Sequence, residues 1–244
     1  MKPKSDNLFH FTRSLDTLLS ILQNGFYPKC CMEDIEWFDL PNDVQMAFPM
    51  CCFCDIPLSR LSEHTDYYGN YGVGLTKDWG IRNKLNPVVY TPPNGQIQSL
   101  MKHLYERLLD DISDGTQFDI RRDELSNESY KLWSLIKPVT GKMYGSDTVK
   151  EFYQENEWRY VPNVEVLLTE TQFIENRDRL DKILQKMRLV FLPDDIRYIF
   201  VKNDDDIPTI IDHINENIHT FKHPDDLKIL QSRIISLTTL QRDI

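Results

Sequence analysis

The chain predicts an α+β fold in a single domain spanning residues 1–244. Three observations carry that reading. Strand-like and helix-like periods are mixed along the chain without regular βαβ alternation. Its length suits one sizeable core, and 41% hydrophobic residues, with 12 Phe, 11 Tyr and 4 Trp, supply the material for it. No internal repeat, low-complexity tract or clear linker divides the sequence.

The elements follow in order. "NLFHFT" (7–12) alternates weakly and is aromatic, as a first strand would be. Ser14 then offers an N-cap, Leu15, Leu18, Leu19 and Leu22 mark one helical face, and Gly25 is a natural stop. The stretch 27–49, with Pro28, Pro41, Pro49 and a group of acids, reads as an irregular loop. "MCCFCDI" (50–56) predicts a strand; "PLSRLSEHTDYYGNYGVGLTKDWGIRN" reads as helix-like and then Gly-punctuated, with "GVGLT" a short strand and residues 77–84 a helical turn within it; and "NPVVY" (86–90) predicts another strand. Ile97, Leu100, Met101, Leu104, Leu108 and Ile112 trace an amphipathic helix, and the acidic stretch 110–128 reads as exposed. "LWSLIKPV" and "NEWRYV" look like paired strands joined around "TGKMYGSD". Residues 171–188 contain a helix, "IRYIFVKN" (196–203) a strand and "IPTIIDHINENI" (207–218) a helix. The 203–244 region then ends on the closing strand "SRIISL" (232–237).

The totals exclude some partners. With 38 acidic and 28 basic side chains, the formal net charge is −10, so nucleic acid is not expected to bind through a general basic surface, though a local patch remains open. The N-terminus lacks the apolar core of a signal peptide, and no run of 18 or more apolar residues exists. Cytoplasmic localisation, with no membrane association, is the expectation. Five cysteines lie at 30, 31, 51, 52 and 54. Their odd number and vicinal pairs predict reduced thiols, and one CxxC without a second spaced pair does not make a structural zinc site, so no metal is expected.

Four local features bear on chemistry. His10 lies in the first predicted strand, where a histidine is more often a hydrogen-bonded core residue than a functional one. "HTDYYGNYG" groups His64, Tyr67, Tyr68 and Tyr71 around two glycines, a pattern that packs a turn or forms a wall for a planar ring. "GLTKDW" supplies Lys77 and Asp78, which read as solvated helix-start residues. In "YQENEWRYV", Glu155, Glu157 and Arg159 fall on every second residue, so one strand face would hold two carboxylates and a guanidinium. That face is either a charged surface or a carboxylate fixed to stabilise developing positive charge. No Walker loop, GxGxxG, nucleophile elbow or HExxH is present.

"LFHFTRSLDTLLSILQNGF", "MCCFCDIPLSRLSEHTDYYGNYGVGLTKDW", "NPVVY" and "ENEWRYV" together resemble the AbiGi family of abortive phage-resistance proteins. That resemblance extends through "DDIRYIFVKN" and "SRIISL". It implies bacterial phage defence by abortive infection, as the antitoxin of a toxin–antitoxin pair whose toxin is nucleotidyltransferase-like. A more distant resemblance is to ADP-ribosyltransferase folds, through a strand with His-x-Thr followed by "L..IL..G". It implies a mixed, mostly antiparallel, split sheet flanked by helices, and NAD as cofactor. By that likeness His10 would contact the ribose, Thr12 would also belong to the cofactor site, Tyr68 and Tyr71 would stack on nicotinamide, and Arg159 would line the same site. Glu157, with Glu155 beside it, would support glycosidic cleavage, with ADP-ribose passing to nucleic acid or protein. Glu157→Gln, which keeps shape and removes charge, is then expected to separate chemistry from folding.

Overall fold

The computed structural model describes residues 5–33, 35, 37, 46–113, 128–142, 148–164, 168–218 and 223–242. Its first strand, β1 (Asn7–Thr12), is followed by α1 (Leu15–Asn24) for the reasons the sequence suggests. Ser14 accepts a hydrogen bond from the Thr17 amide at 3.2 Å, and Gly25 ends the helix at φ 83°. Leu18, Ile21 and Leu22 form the buried face.

The 27–49 stretch is not wholly irregular. Lys29–Glu33 forms β2, antiparallel to β3 (Met46–Cys54), with Cys31 opposite Phe48; residues 34, 36 and 38–45 lie outside the described residues. Every β2 residue is half-buried or exposed, so the strand has no apolar alternation to display. Then come α2 (Leu61–Tyr68), β4 (Tyr71–Thr76) and α3 (Lys77–Arg82), the last capped by the Thr76 hydroxyl.

"NPVVY" is not one strand but two. β5 (Asn86–Pro87) pairs with β10 (Glu157–Tyr160), whereas β6 (Val89–Thr91) runs parallel to β7 (Ile136–Pro138). Between β6 and β7 lies α4 (Gln96–Ser113), whose Ile97 and Met101 pack inward while Leu100 and Leu104 are exposed. The side chains of Leu108 and Ile112, and most of the acidic stretch 110–128, lie outside the described residues.

Residues 128–133 are helical, so the run "LWSLIKPV" divides between a helix end and β7. Its expected pairing with "NEWRYV" therefore does not form: β10 pairs with β3 and β5 instead. A short apolar run carries no period that separates helix from strand. β8 (Thr140–Lys142) and β9 (Val149–Glu151) make a separate antiparallel pair. The chain continues through β11 (Leu168–Thr169), α5 (Glu170–Leu184), β12 (Ile196–Val201), α6 (Ile207–Asn217), α7 (Pro224–Gln231), β13 (Ile234–Ser236) and α8 (Leu237–Leu240).

Among the described residues, nine strands form one mixed, mostly antiparallel sheet in the order β13-β12-β4-β1-β3-β10-β5, with β2 and β11 also on β3. Only β12–β13 pair in parallel within it. On one face Leu8, Val73, Leu75 and Ile199 pack with Leu18, Trp79, Ile210 and Ile214 from helices. On the other, Phe9, Phe11, Cys54 and Phe200 pack with Leu61 and Leu237. Beyond β3, Phe48 and Met50 join Met101, Tyr130 and Trp133. No helix among the described residues is long and apolar enough to cross a membrane.

Candidate functional site

β1 pairs with β4 over its whole length but meets β3 in a single registered pair, Phe9 opposite Cys54. Past that point the two central strands part. The His10 ring bridges the gap: its Nδ1–H donates to the Cys52 carbonyl at 2.8 Å, where a ladder hydrogen bond would otherwise run. Its other contacts are the Phe26 and Phe53 rings, and burial, outweighing that bond, lowers its pKa. A cavity of about 360 Å3 opens at the split, walled by Phe9, His10, Phe11, Cys52, Phe53, His64, Tyr68 and Phe152, with Glu33, Lys137, Glu155 and Glu157 supplying charge.

The two carboxylates reach this cavity by a route that strand alternation does not describe. Residues 152–155 form a 3-10 turn, Asn156 adopts a left-handed conformation at φ 44°, and β10 begins only at Glu157. Asparagine tolerates that conformation, and its Nδ2 donates to the Asp55 carboxylate at 2.8 Å, which pins the turn. Glu155 and Glu157 are both buried, at 6% and 5% exposure.

Buried carboxylates must be matched, and these are. Arg159, 1% exposed, donates from Nε to Glu157 Oε1 at 2.8 Å and from Nη2 to Oε2 at 3.2 Å. Its remaining hydrogen bonds go to the Ser134 carbonyl at 2.6 Å and to Glu33 Oε1 at 3.0 Å. Lys137 lies over the Phe152 ring and donates to Glu157 Oε2 at 3.1 Å, with Glu155 Oε2 at 4.0 Å. Lys150, from β9, sits 2.5 Å from Glu155 Oε1, and the Tyr68 hydroxyl donates to the same oxygen at 2.6 Å. Burial alone would raise the Glu157 pKa, but the charges of Arg159 and Lys137 and the hydrogen bonds to the carboxylate hold it below the usual range. Burial, then the charge and hydrogen bond of Glu155, push the Tyr68 hydroxyl upward.

The structure thus brings His10, Tyr68, Glu155 and Glu157 to one cavity, with Arg159 directly behind Glu157. It does not bring Thr12 or Tyr71 there. These two face each other across β1 and β4, and the Tyr71 hydroxyl donates to Asp206 at 3.2 Å. Sequence reasoning missed Lys137, Lys150 and Glu33. For Lys137 a signal existed: a lysine inside the apolar run "LWSLIKPV" must find an anion if that run is buried. Lys77, read as solvated, in fact pairs with Asp55 at 2.8 Å beneath the Asn156 turn. All five cysteines are free; Cys51 and Cys54 are buried in β3, while Cys31 and Cys52 line the cavity. Among the described residues no group of three His, Cys, Asp or Glu side chains is arranged to hold a metal ion.

Comparison with known proteins adds a relationship to this geometry. A family model described as "Putative abortive phage resistance protein AbiGi, antitoxin" matches residues 24–202. A Lactococcus lactis subsp. cremoris protein named abortive phage resistance protein AbiGi is 30% identical over 209 residues, covering 72% of this chain and 82% of that protein. No solved structure matches.

Proposed function

The chain belongs to the AbiGi family of abortive phage-resistance proteins, and from that premise we propose that it is the antitoxin of an abortive-infection pair, acting by binding rather than by group transfer. The observation that supports a binding role is the state of Glu157. Both its oxygens are taken by Arg159 and Lys137, so the carboxylate anchors buried cations instead of facing a reacting centre. The partner is a nucleotidyltransferase-like toxin, neutralised by direct contact.

A second reading is favoured by one specific feature. His10, Tyr68, Glu155 and Glu157 share the walls of a single cavity, which is the set of residue types that cleavage of NAD at the nicotinamide–ribose bond would use. Co-expression with a nucleotidyltransferase-like toxin separates the two. The antitoxin reading expects restored growth, a stable complex on size exclusion and no nicotinamide released from labelled NAD. Growth arrest that persists overturns the antitoxin reading, and arrest by this chain alone with nicotinamide release overturns it in favour of transfer chemistry.

A further inference from the structure

A second cavity, of about 390 Å3, adjoins the first, and His64 and Glu155 stand in the walls of both. The His64 ring, on α2, lies 4.5 Å from that of Tyr68 and edge-on to Phe11 at 5.7 Å. Neither of its nitrogens takes a hydrogen bond among the described residues. Neither is sealed away, in contrast to Nε2 of His213. Burial, and then the nearby Lys150 charge, lower its pKa to about 3. The ring is therefore neutral at pH 7, with one nitrogen to donate and one to accept.

The two cavities differ in chemistry. The first is walled by the rings of Phe9, Phe11, Phe53 and Phe152, which suit a flat apolar face. In the second, the carboxylates of Glu63, Asp66, Glu151 and Glu155 outnumber the cations of Arg60 and Lys150. Arg60 is engaged by Gln154 at 2.5 Å and lies 4.0 Å from Glu63, Lys150 and Glu155 pair at 2.5 Å, and Glu151 accepts from the Gln154 amide, which leaves Asp66 as the carboxylate without such a partner among the described residues. Such a chamber repels phosphate but accepts hydrogen bonds from hydroxyl groups.

We propose that the two cavities form one cleft for an uncharged nucleoside, with the base between the phenylalanine walls, the sugar hydroxyls on the carboxylates of the second chamber, and His64 hydrogen-bonded to the ligand at the junction. This assignment rests on the cavity walls and not on the antitoxin reading, so phage protection is not its readout.

Calorimetric titration of the full chain with the four ribonucleosides, their free bases, their 5′-monophosphates and NAD tests it. At least one nucleoside binds, about tenfold tighter than its own base and its own monophosphate. His64→Phe keeps the ring stack but loses both hydrogen bonds, which weakens the nucleoside by about tenfold. His64→Gln, with a donor and an acceptor, recovers part of that loss. Asp66→Asn, at an exposed position, weakens nucleoside binding and leaves the free base unaffected, and it reads the second chamber even if the His64 variants unfold. No nucleoside binding, a monophosphate or NAD binding as tightly as the nucleoside, or unchanged affinity in folded His64→Phe overturns the assignment.

Discussion

At Glu157 the sequence-based expectation and the geometry diverge. Replacing it by glutamine was expected to spare the fold, because shape is kept. In the structure its charge is the counterion of two buried cations, Arg159 and Lys137, at 1% and 8% exposure. Glu157→Gln is therefore expected to cost about 3 kcal/mol in urea unfolding at pH 7. Because folding depresses the Glu157 pKa, its contribution is present above the unfolded value of about 4.3 and disappears as the pH falls below it toward the folded value. The wild-type protein should accordingly lose more stability than the variant between pH 7 and pH 3, and equal losses would show that the carboxylate carries no such linkage. The Glu155, Glu157 and Arg159 spacing was legible because all three lie within five residues. Lys150 was not, and for Lys137 the sequence signalled the need of an anion but not which one, since each arrives on its own short strand and only tertiary folding chooses its partner.

Among the elements, α1 was readable because cap, apolar period and stop signal agree within twelve positions. β2 was not, being half-buried or exposed at every position, and "NPVVY" hid a break because β5 and β6 serve different sheets. The junction between α2 and β4 offers the sharpest test at this scale. Gly69 has φ 110°, and a Cβ there would lie 2.3 Å from the Thr12 carbonyl oxygen on β1. Backbone cannot yield as a side-chain tip can, so Gly69→Ala must both strain its own torsion and push α2 away from β1. A loss of about 2–4 kcal/mol is expected, with altered near-ultraviolet dichroism as Tyr68 and His64 shift from the cavity. An alanine variant with wild-type melting and wild-type dichroism would mean that α2 is not held by this close approach.

Over the whole molecule, the α+β class was legible from mixed periods, while the strand order was not. Order depends on pairings between distant segments: β10 lies against β3 across roughly a hundred residues, and β13 joins the far edge beside β12. That order has a consequence for where the fold can be cut. The family-matched stretch 24–202 leaves out β1, although β1 is the strand between β4 and β3. It also leaves out α6, whose Ile210 and Ile214 are fully buried, and β13. Without β1, the β13-β12-β4 half loses its only registered link among the described residues to the β3-β10-β5 half, and Phe9, Phe11 and Leu8 vanish from two cores. Unpaired β3 and β4 would then expose sheet edges to solvent. A fragment of residues 24–202 is thus expected to lack a cooperative thermal transition and near-ultraviolet dichroism and to aggregate, whereas the full chain, with its sheet continuous through β1, is expected to unfold in one transition. A soluble fragment with a sharp transition at the full chain's midpoint would show that the central strand is dispensable and that the two halves of the sheet are separate folding units.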